Sequence, residues 1–247
     1  MIKRFMSQRL REAAKRYPVL TLTGPRQSGK TTLARQVFKK HEYVSLEQPD
    51  ERRFALEDPR GFLGRFRGPF ILDEAQRAPE LFSYIQTSVD DDARPGRIVL
   101  TGSQNFLLMQ GISQSLAGRC AVLHLLPLAL RELLGRPPRD PRLLGQTPDG
   151  AVRPPRRSLE EVLFAGFYPR IHDKKHPPQE WLSDYYQTYL ERDVRSILKV
   201  GDLEAFGRFI RLCAGRSGQL LDLVGLASDC GITHPTARSW ISVLEAS

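Results

Sequence analysis

Short apolar runs alternate with amphipathic stretches over the first half of the chain. Pro18 to Thr23, Tyr43 to Leu46, Gly68 to Glu74, Arg97 to Asn105 and Cys120 to Leu125 are apolar and β-branched at their centres, the pattern of buried strands. Helical spacing lies between them. Thr32 to Phe38 repeats at the helical period, and Asp58-Pro59 supplies an N-cap and first-turn proline for a helix through Phe66. Pro79 opens a third helix with Leu81, Phe82, Ile85 and Val89 on one face. Strands that alternate with helices predict an α/β fold: a five-stranded parallel sheet covered by helices on both faces. The first ten residues, basic and mildly amphipathic, predict a short helix leading into that sheet.

The pattern changes after residue 130. Residues 131 to 158 contain six prolines and seven arginines with few large apolar residues, as in a linker or long surface loop. From 159 onward the chain reads as all-α. Trp181 to Val200 carries Leu182, Tyr185, Tyr186, Tyr189 and Leu190 at helical spacing, a stripe that favours core packing over base stacking. Beyond it, Arg192 and Arg195 could reach a phosphate or pair with Glu191 and Asp193. Residues 221–245 resemble a helix-turn-helix. Gly231 allows the tight turn, Thr233 caps the second helix, and Leu226, Ala227, Cys230, Ile232, Ala237 and Trp240 form the shared core. His234, Thr236, Arg238 and Ser239 then face outward, toward DNA or a protein partner. The expected organisation is residues 1–130, a linker at 131–158 and a helical module at 159–247.

Charge narrows the partners. The formal net charge is +9 over 247 residues, which suits a polyanion. No apolar run approaches the roughly 18 residues of a membrane span. The N-terminus lacks the apolar centre of a signal peptide, so a cytoplasmic location is expected. Cys120, Cys213 and Cys230 are far apart and have no metal spacing, and the five histidines show no zinc pattern.

The chemistry is concentrated in three places. Gly24-Pro25-Arg26-Gln27-Ser28-Gly29-Lys30-Thr31 matches the phosphate-binding loop G-x-x-x-x-G-K-[ST], between a strand and a helix as that motif requires. Its backbone N–H groups and the helix N-terminus suit an anion, and Thr32 continues the set. Lys30 is expected on the β- and γ-phosphates of ATP and the Thr31 hydroxyl on Mg²⁺. Downstream, the strand Phe70 to Leu72 ends in Asp73, a candidate for holding Mg²⁺, and Glu74, a candidate general base for water. The strand at Leu100 ends in small polar residues. Ser103 is the first candidate there for contact with the γ-phosphate or the attacking water, Gln104 the second and Thr101 the third. An ordinary N-cap explains Ser103 equally well. The chain has one asparagine, Asn105, so it cannot build an Asn-Lys-x-Asp guanine reader.

These elements resemble the AAA-type P-loop ATPases, in particular prokaryotic predicted ATPases whose AAA domain precedes a C-terminal domain of unknown function. The resemblance runs through Gly24 to Thr31, Leu46-Glu47-Gln48-Pro49, Ile71 to Gln76, Leu100 to Ser103, Ser115 to Arg119 and Tyr189 to Arg195. It implies a nucleotide-binding fold, ATP and Mg²⁺. Such a family usually continues well past residue 247, so a shortened C-terminus without a complete wing or nuclease-like piece is expected. Arg119 is the candidate arginine finger, in cis or from a neighbouring subunit of a homo-oligomer; a surface arginine ending a helix is the alternative. The expected function is hydrolysis of ATP to ADP and phosphate, coupled to a DNA or protein partner. A non-hydrolysing nucleotide switch and a P-loop kinase are the alternatives.

Overall fold

The computed structural model describes residues 2–103, 112, 114–138, 142, 158–189 and 202–246. The chain divides into two compact units, Met1–Pro178 and Gln179–Ser247. The first holds the sheet. Its elements run α1 (Met6–Ala13), β1 (Val19–Thr23), α2 (Lys30–Val37), β2 (Glu42–Ser45), α3 (Pro49–Glu57) and α4 (Pro59–Gly64). They continue with β3 (Phe70–Asp73), a 3-10 turn at Ala75–Arg77, α5 (Leu81–Asp91), β4 (Ile98–Thr101), β5 (Cys120–His124), α6 (Leu130–Leu133), α7 (Leu159–Ala165) and α8 (Pro169–Asp173).

All five strands are parallel, in the order β2-β3-β4-β1-β5. Successive residues of a strand face opposite sides, and the core divides accordingly. Phe70, Leu72, Ile98 and Leu100 pack with Ala55, Phe62, Phe82, Ile85 and Val89 of α3, α4 and α5. Ile71, Val99, Leu20 and Leu22 pack on the other face with Leu10 of α1 and Leu33 and Ala34 of α2. The anticipated helix signals operate as capping chemistry requires. Asp58 accepts from the Gly61 N–H at 2.9 Å at the start of α4, and Leu81, Phe82, Ile85 and Val89 are the buried face of α5.

The helical unit contains most of α9 (Pro178–Tyr189), then α10 (Leu203–Gly215), α11 (Leu223–Cys230) and α12 (His234–Ala246). Gly231 ends α11 at φ 68°, a left-handed geometry that admits the sharp change of direction into α12. Thr233 then caps α12, its hydroxyl accepting from the Thr236 N–H at 3.3 Å. Phe206 and Phe209 of α10 meet Trp240 of α12 edge to face, with ring centroids 5.0 and 5.3 Å apart. Leu226, Ala227, Cys230 and Ala237 complete this core, with Ile232 packed against it. Trp181, Leu182, Tyr185 and Tyr186 are half-buried on one face of α9. Its expected continuation to Val200, with Leu190, Glu191, Arg192, Asp193 and Arg195, lies outside the described residues.

The unit boundary falls at Pro178, so α7 and α8 belong with the sheet rather than with the helices after it. Of the stretch read as a linker, residues 139–141 and 143–157 lie outside the described residues. Its beginning is ordered protein interior: Glu132 of α6 is buried and bonded, as described below. Among the described residues, no helix is long and apolar enough to cross a membrane.

Candidate nucleotide site

Strand β1 is buried along its whole length and delivers the chain to residue 24 at the carboxyl edge of the sheet. Gly24 has φ 141°, and a Cβ there would lie 2.2 Å from the Leu125 carbonyl oxygen. Only glycine lets the loop start so close to the chain leaving β5. The loop turns through Gln27 (φ 60°) and Gly29 (φ 95°) into the N-terminus of α2.

Lys30 is 7% exposed and lies along the loop, its ammonium donating to the Gly24 and Pro25 carbonyls at 2.9 Å each. Burial pushes its pKa down to about 8, against the raising influence of the Glu74 and Asp73 carboxylates. Thr31, the next residue, donates to both Asp73 carboxylate oxygens at 3.0 and 3.1 Å. The structure thus brings together the loop, the buried cation and the acidic end of β3, as the sequence pattern expects.

Two partners of Asp73 lack any sequence signature. Tyr43 of β2 donates to it at 2.9 Å, and Thr101 of β4 donates to it from a fully buried position. Burial and the Asp73 charge push the Tyr43 phenol up to about 12, which keeps it a donor. Thr101, an outside candidate for phosphate contact, is committed to this carboxylate. Strand order explains the convergence: β3 lies between β2 and β4, with Ser45 and Thr101 in register with Asp73.

Glu74 follows in a left-handed conformation (φ 55°) that turns the chain away from the strand. Its carboxylate accepts from the Gln76 amide, which also donates to the Ser103 hydroxyl at 3.3 Å. Gln76 therefore joins the candidate base to the candidate polar contact of the neighbouring strand. Its own oxygen Oε1 is buried without a partner among the described residues. Gln104 and Asn105 lie outside those residues.

Beneath the loop lies Arg4, 8% exposed. It donates to the Ser28 carbonyl of the loop at 2.8 Å, to the Leu126 and Pro127 carbonyls at 2.6 and 3.1 Å, and to Glu132 at 3.1 Å. Glu132 also accepts from the Phe5 N–H at 2.6 Å and the Ala129 N–H at 2.9 Å. The loop thus rests on a buried ion pair whose members are 128 residues apart in sequence.

Arg119 is not brought to this site. It immediately precedes β5, and its carbonyl accepts from the N–H of Val19, the first residue of β1. That is the amino edge of the sheet, whereas the loop is at the carboxyl edge. Its guanidinium pairs with Asp90 of α5, at 3.0 Å through Nη2. A finger acting within its own chain is therefore excluded by strand direction.

The residues present fit Mg²⁺ with phosphate. Among the described residues no cluster of three or more metal-ligating side chains occurs. Mg²⁺ on a nucleotide needs no such cage, since one or two protein oxygens, phosphates and water complete its shell. The Thr31 and Asp73 pair beside a glycine-opened loop is a donor set of that kind.

A parallel sheet of this order, with a phosphate loop after β1 between β4 and β5, defines a P-loop NTPase fold of the AAA type. Residues 16–134 match the AAA domain family model, and residues 156–247 match a domain of unknown function, DUF8612. Two uncharacterized proteins, Mb2031c of Mycobacterium bovis and Rv2008c of Mycobacterium tuberculosis, are each 32% identical to it over 245 residues. That match covers 98% of this chain and 51% of each relative, so the chain spans about half their length. Among solved structures, the Walker-type ATPase PABY2304 of Pyrococcus abyssi superposes with a TM-score of 0.56. It is 14% identical, and the match covers 100% of this chain and 89% of that one, a likeness of fold.

Proposed function

We propose that the sheet-bearing unit is a Mg²⁺-dependent ATPase, converting ATP and water to ADP and phosphate, and that the helical unit engages its partner. The observation that carries this reading is Thr31 bonded to Asp73 beside buried Lys30, with Glu74 next in the chain. Loop N–H groups from Gly24 to Thr32 bind the phosphates, and Lys30 transfers its ammonium from loop carbonyls to phosphate oxygens. Thr31 and Asp73 would hold Mg²⁺, which when bound neutralises phosphate charge. Glu74 accepts the proton of the attacking water; a bond forms from water oxygen to the γ-phosphorus and the bond to the bridging oxygen of ADP breaks. Gln76, itself bonded to Ser103, holds the Glu74 carboxylate in place.

Arg119 serves this chemistry only in trans, in a homo-oligomer, after leaving Asp90. We read α11, its turn and α12 as a helix-turn-helix. His234, Arg238 and Ser239 are exposed on α12, while Thr236 is half-buried and bonded to Thr233 at 2.8 Å. These residues suit contact with DNA or a protein partner.

One observation favours a second reading. Gln76 occupies the Glu74 carboxylate, as it would in a switch that binds nucleotide without hydrolysing it. ATP turnover with Mg²⁺, measured with Lys30→Ala and Glu74→Gln controls, separates the two. Turnover lost in both variants supports the ATPase. Tight binding without turnover at every protein concentration, with or without duplex DNA, would leave the switch.

A further inference from the structure

Every strand of the sheet is preceded by at least one basic residue. Lys39 and Lys40 precede β2, Arg67 precedes β3, Arg94 and Arg97 precede β4, Lys15 and Arg16 precede β1, and Arg119 precedes β5. Because all strands are parallel, these residues gather on one edge, opposite the phosphate loop. Backbone bonds knit the leading turns into a row. The Glu42 N–H donates to the Pro69 carbonyl at 3.0 Å, Phe70 to Arg97 at 3.0 Å, Ile98 to Pro18 at 3.0 Å and Val19 to Arg119 at 3.3 Å. Gly96 ties the two lysine-bearing turns together. Its N–H donates to the Tyr17 carbonyl at 2.8 Å, and its carbonyl accepts from His41 Nε2 at 2.8 Å. At a strand spacing of about 4.8 Å the row is about 19 Å long.

Ion pairing leaves part of this row unneutralised. Asp92 takes up Arg94 and Arg97, and Asp90 takes up Arg119. Lys15, Arg16, Lys39, Lys40 and Arg67 are exposed and have no ion-pair partner among the described residues. The acids nearby in the chain are Glu42 and Asp91, fewer than the cations. Arg9 and Arg11, both exposed, extend the same sign along α1, where Glu12 is the one acid.

We propose that this amino edge of the sheet binds the phosphate backbone of duplex DNA without sequence preference. Long flexible cations in a row, with a repeat of a few ångströms, match a polymer that carries one charge per roughly 1.7 Å of axis. A membrane surface fits less well, since an interfacial helix turns an apolar face outward, whereas Leu10 of α1 and Leu33 of α2 are buried in the core. Single strands are held by stacking on several aromatic rings; Tyr17, at 38% exposure, is the one large aromatic ring exposed within these turns. The proposal stands apart from nucleotide hydrolysis and from the helical unit.

The test is fluorescence anisotropy of a labelled random-sequence duplex with the whole chain, at several salt concentrations. The wild-type chain should bind with a steep salt dependence. In K15Q/R16Q/K39Q/K40Q the log–log slope should become shallower by about 3.6, from four lost phosphate contacts at about 0.9 each, with at least a roughly tenfold loss of affinity. The exposed pair K39Q/K40Q alone should reduce the slope by about 1.8, and K39R/K40R should keep wild-type binding. Unchanged slope and affinity in both glutamine variants overturn the proposal, as does failure of the wild-type chain to bind the duplex at low salt. Equal or tighter binding of polyglutamate, a labelled single strand or phosphatidylserine vesicles overturns it in favour of that partner. Loss of duplex binding in Arg238→Ala, with none in the glutamine variants, places the contact on α12 instead.

Discussion

Lys30 is the residue whose chemistry is most exposed to experiment. Burial holds its pKa near 8, so below pH 8 it is charged before nucleotide arrives. Above pH 8 it is neutral, and binding the triphosphate must take up a proton. ATP affinity should therefore be flat up to about pH 8 and then fall up to about tenfold per unit; isothermal titration between pH 7 and 9.5 reads this out, and an affinity unchanged over the range would contradict it. Glu74→Gln removes the proton acceptor and should lower kcat about 10² to 10⁴-fold while ATP still binds. Gln76→Ala frees the Glu74 carboxylate and should lower kcat about tenfold with KM unchanged if Gln76 positions the base. A rise in kcat would show that Gln76 restrains it. Lys30 and Thr31 were legible in the sequence because the loop motif fixes their spacing, and Asp73 and Glu74 because they end an apolar strand. Tyr43, Thr101 and Gln76 were not, because a hydroxyl or amide within an apolar run carries no sign of which carboxylate the strand order will place beside it.

At the scale of elements, strand and helix patterns were legible because β3 and β4 are buried at every position and so read as continuous apolar runs, while burial repeats at helical spacing along α5. Direction across the sheet was the hidden quantity. Arg119 looked near the phosphates from its motif, yet a residue leading into a parallel strand stands at the far edge from a loop that follows one. Glu132 was hidden differently, inside an arginine- and proline-rich stretch that reads as solvent-exposed. Its removal leaves Arg4 buried without its counter-charge. Glu132→Ala should destabilise the sheet-bearing unit by about 3–5 kcal/mol, seen as a lower urea midpoint. Trp240→Ala empties the centre of the helical unit and should cost about 3–5 kcal/mol there. Because the two units have separate cores, each substitution should shift one unfolding transition and leave the other in place; a single shared shift would show that the units unfold together.

For the whole molecule, the parallel sheet sorts chemistry by edge. The carboxyl edge gathers the loop, Asp73, Glu74 and Ser103, while the amino edge gathers Lys15, Arg16, Lys39, Lys40, Arg67 and Arg119. Net charge was legible as a single number, but its concentration on one edge needed the topology. If Arg119 completes a neighbour's site, turnover should rise more than linearly with protein concentration, and Arg119→Ala should lower the plateau about 10³-fold or more; turnover strictly proportional to concentration would leave Arg119 to its pair with Asp90. The cation beneath the phosphate loop has a practical consequence for making the protein. Met6 could serve as a second translation start, and a product begun there would keep every motif residue yet lack Arg4. Such a polypeptide would pass a motif check and still present Ser28 over an unpaired Glu132. Intact mass is therefore worth measuring before any inactive preparation is interpreted.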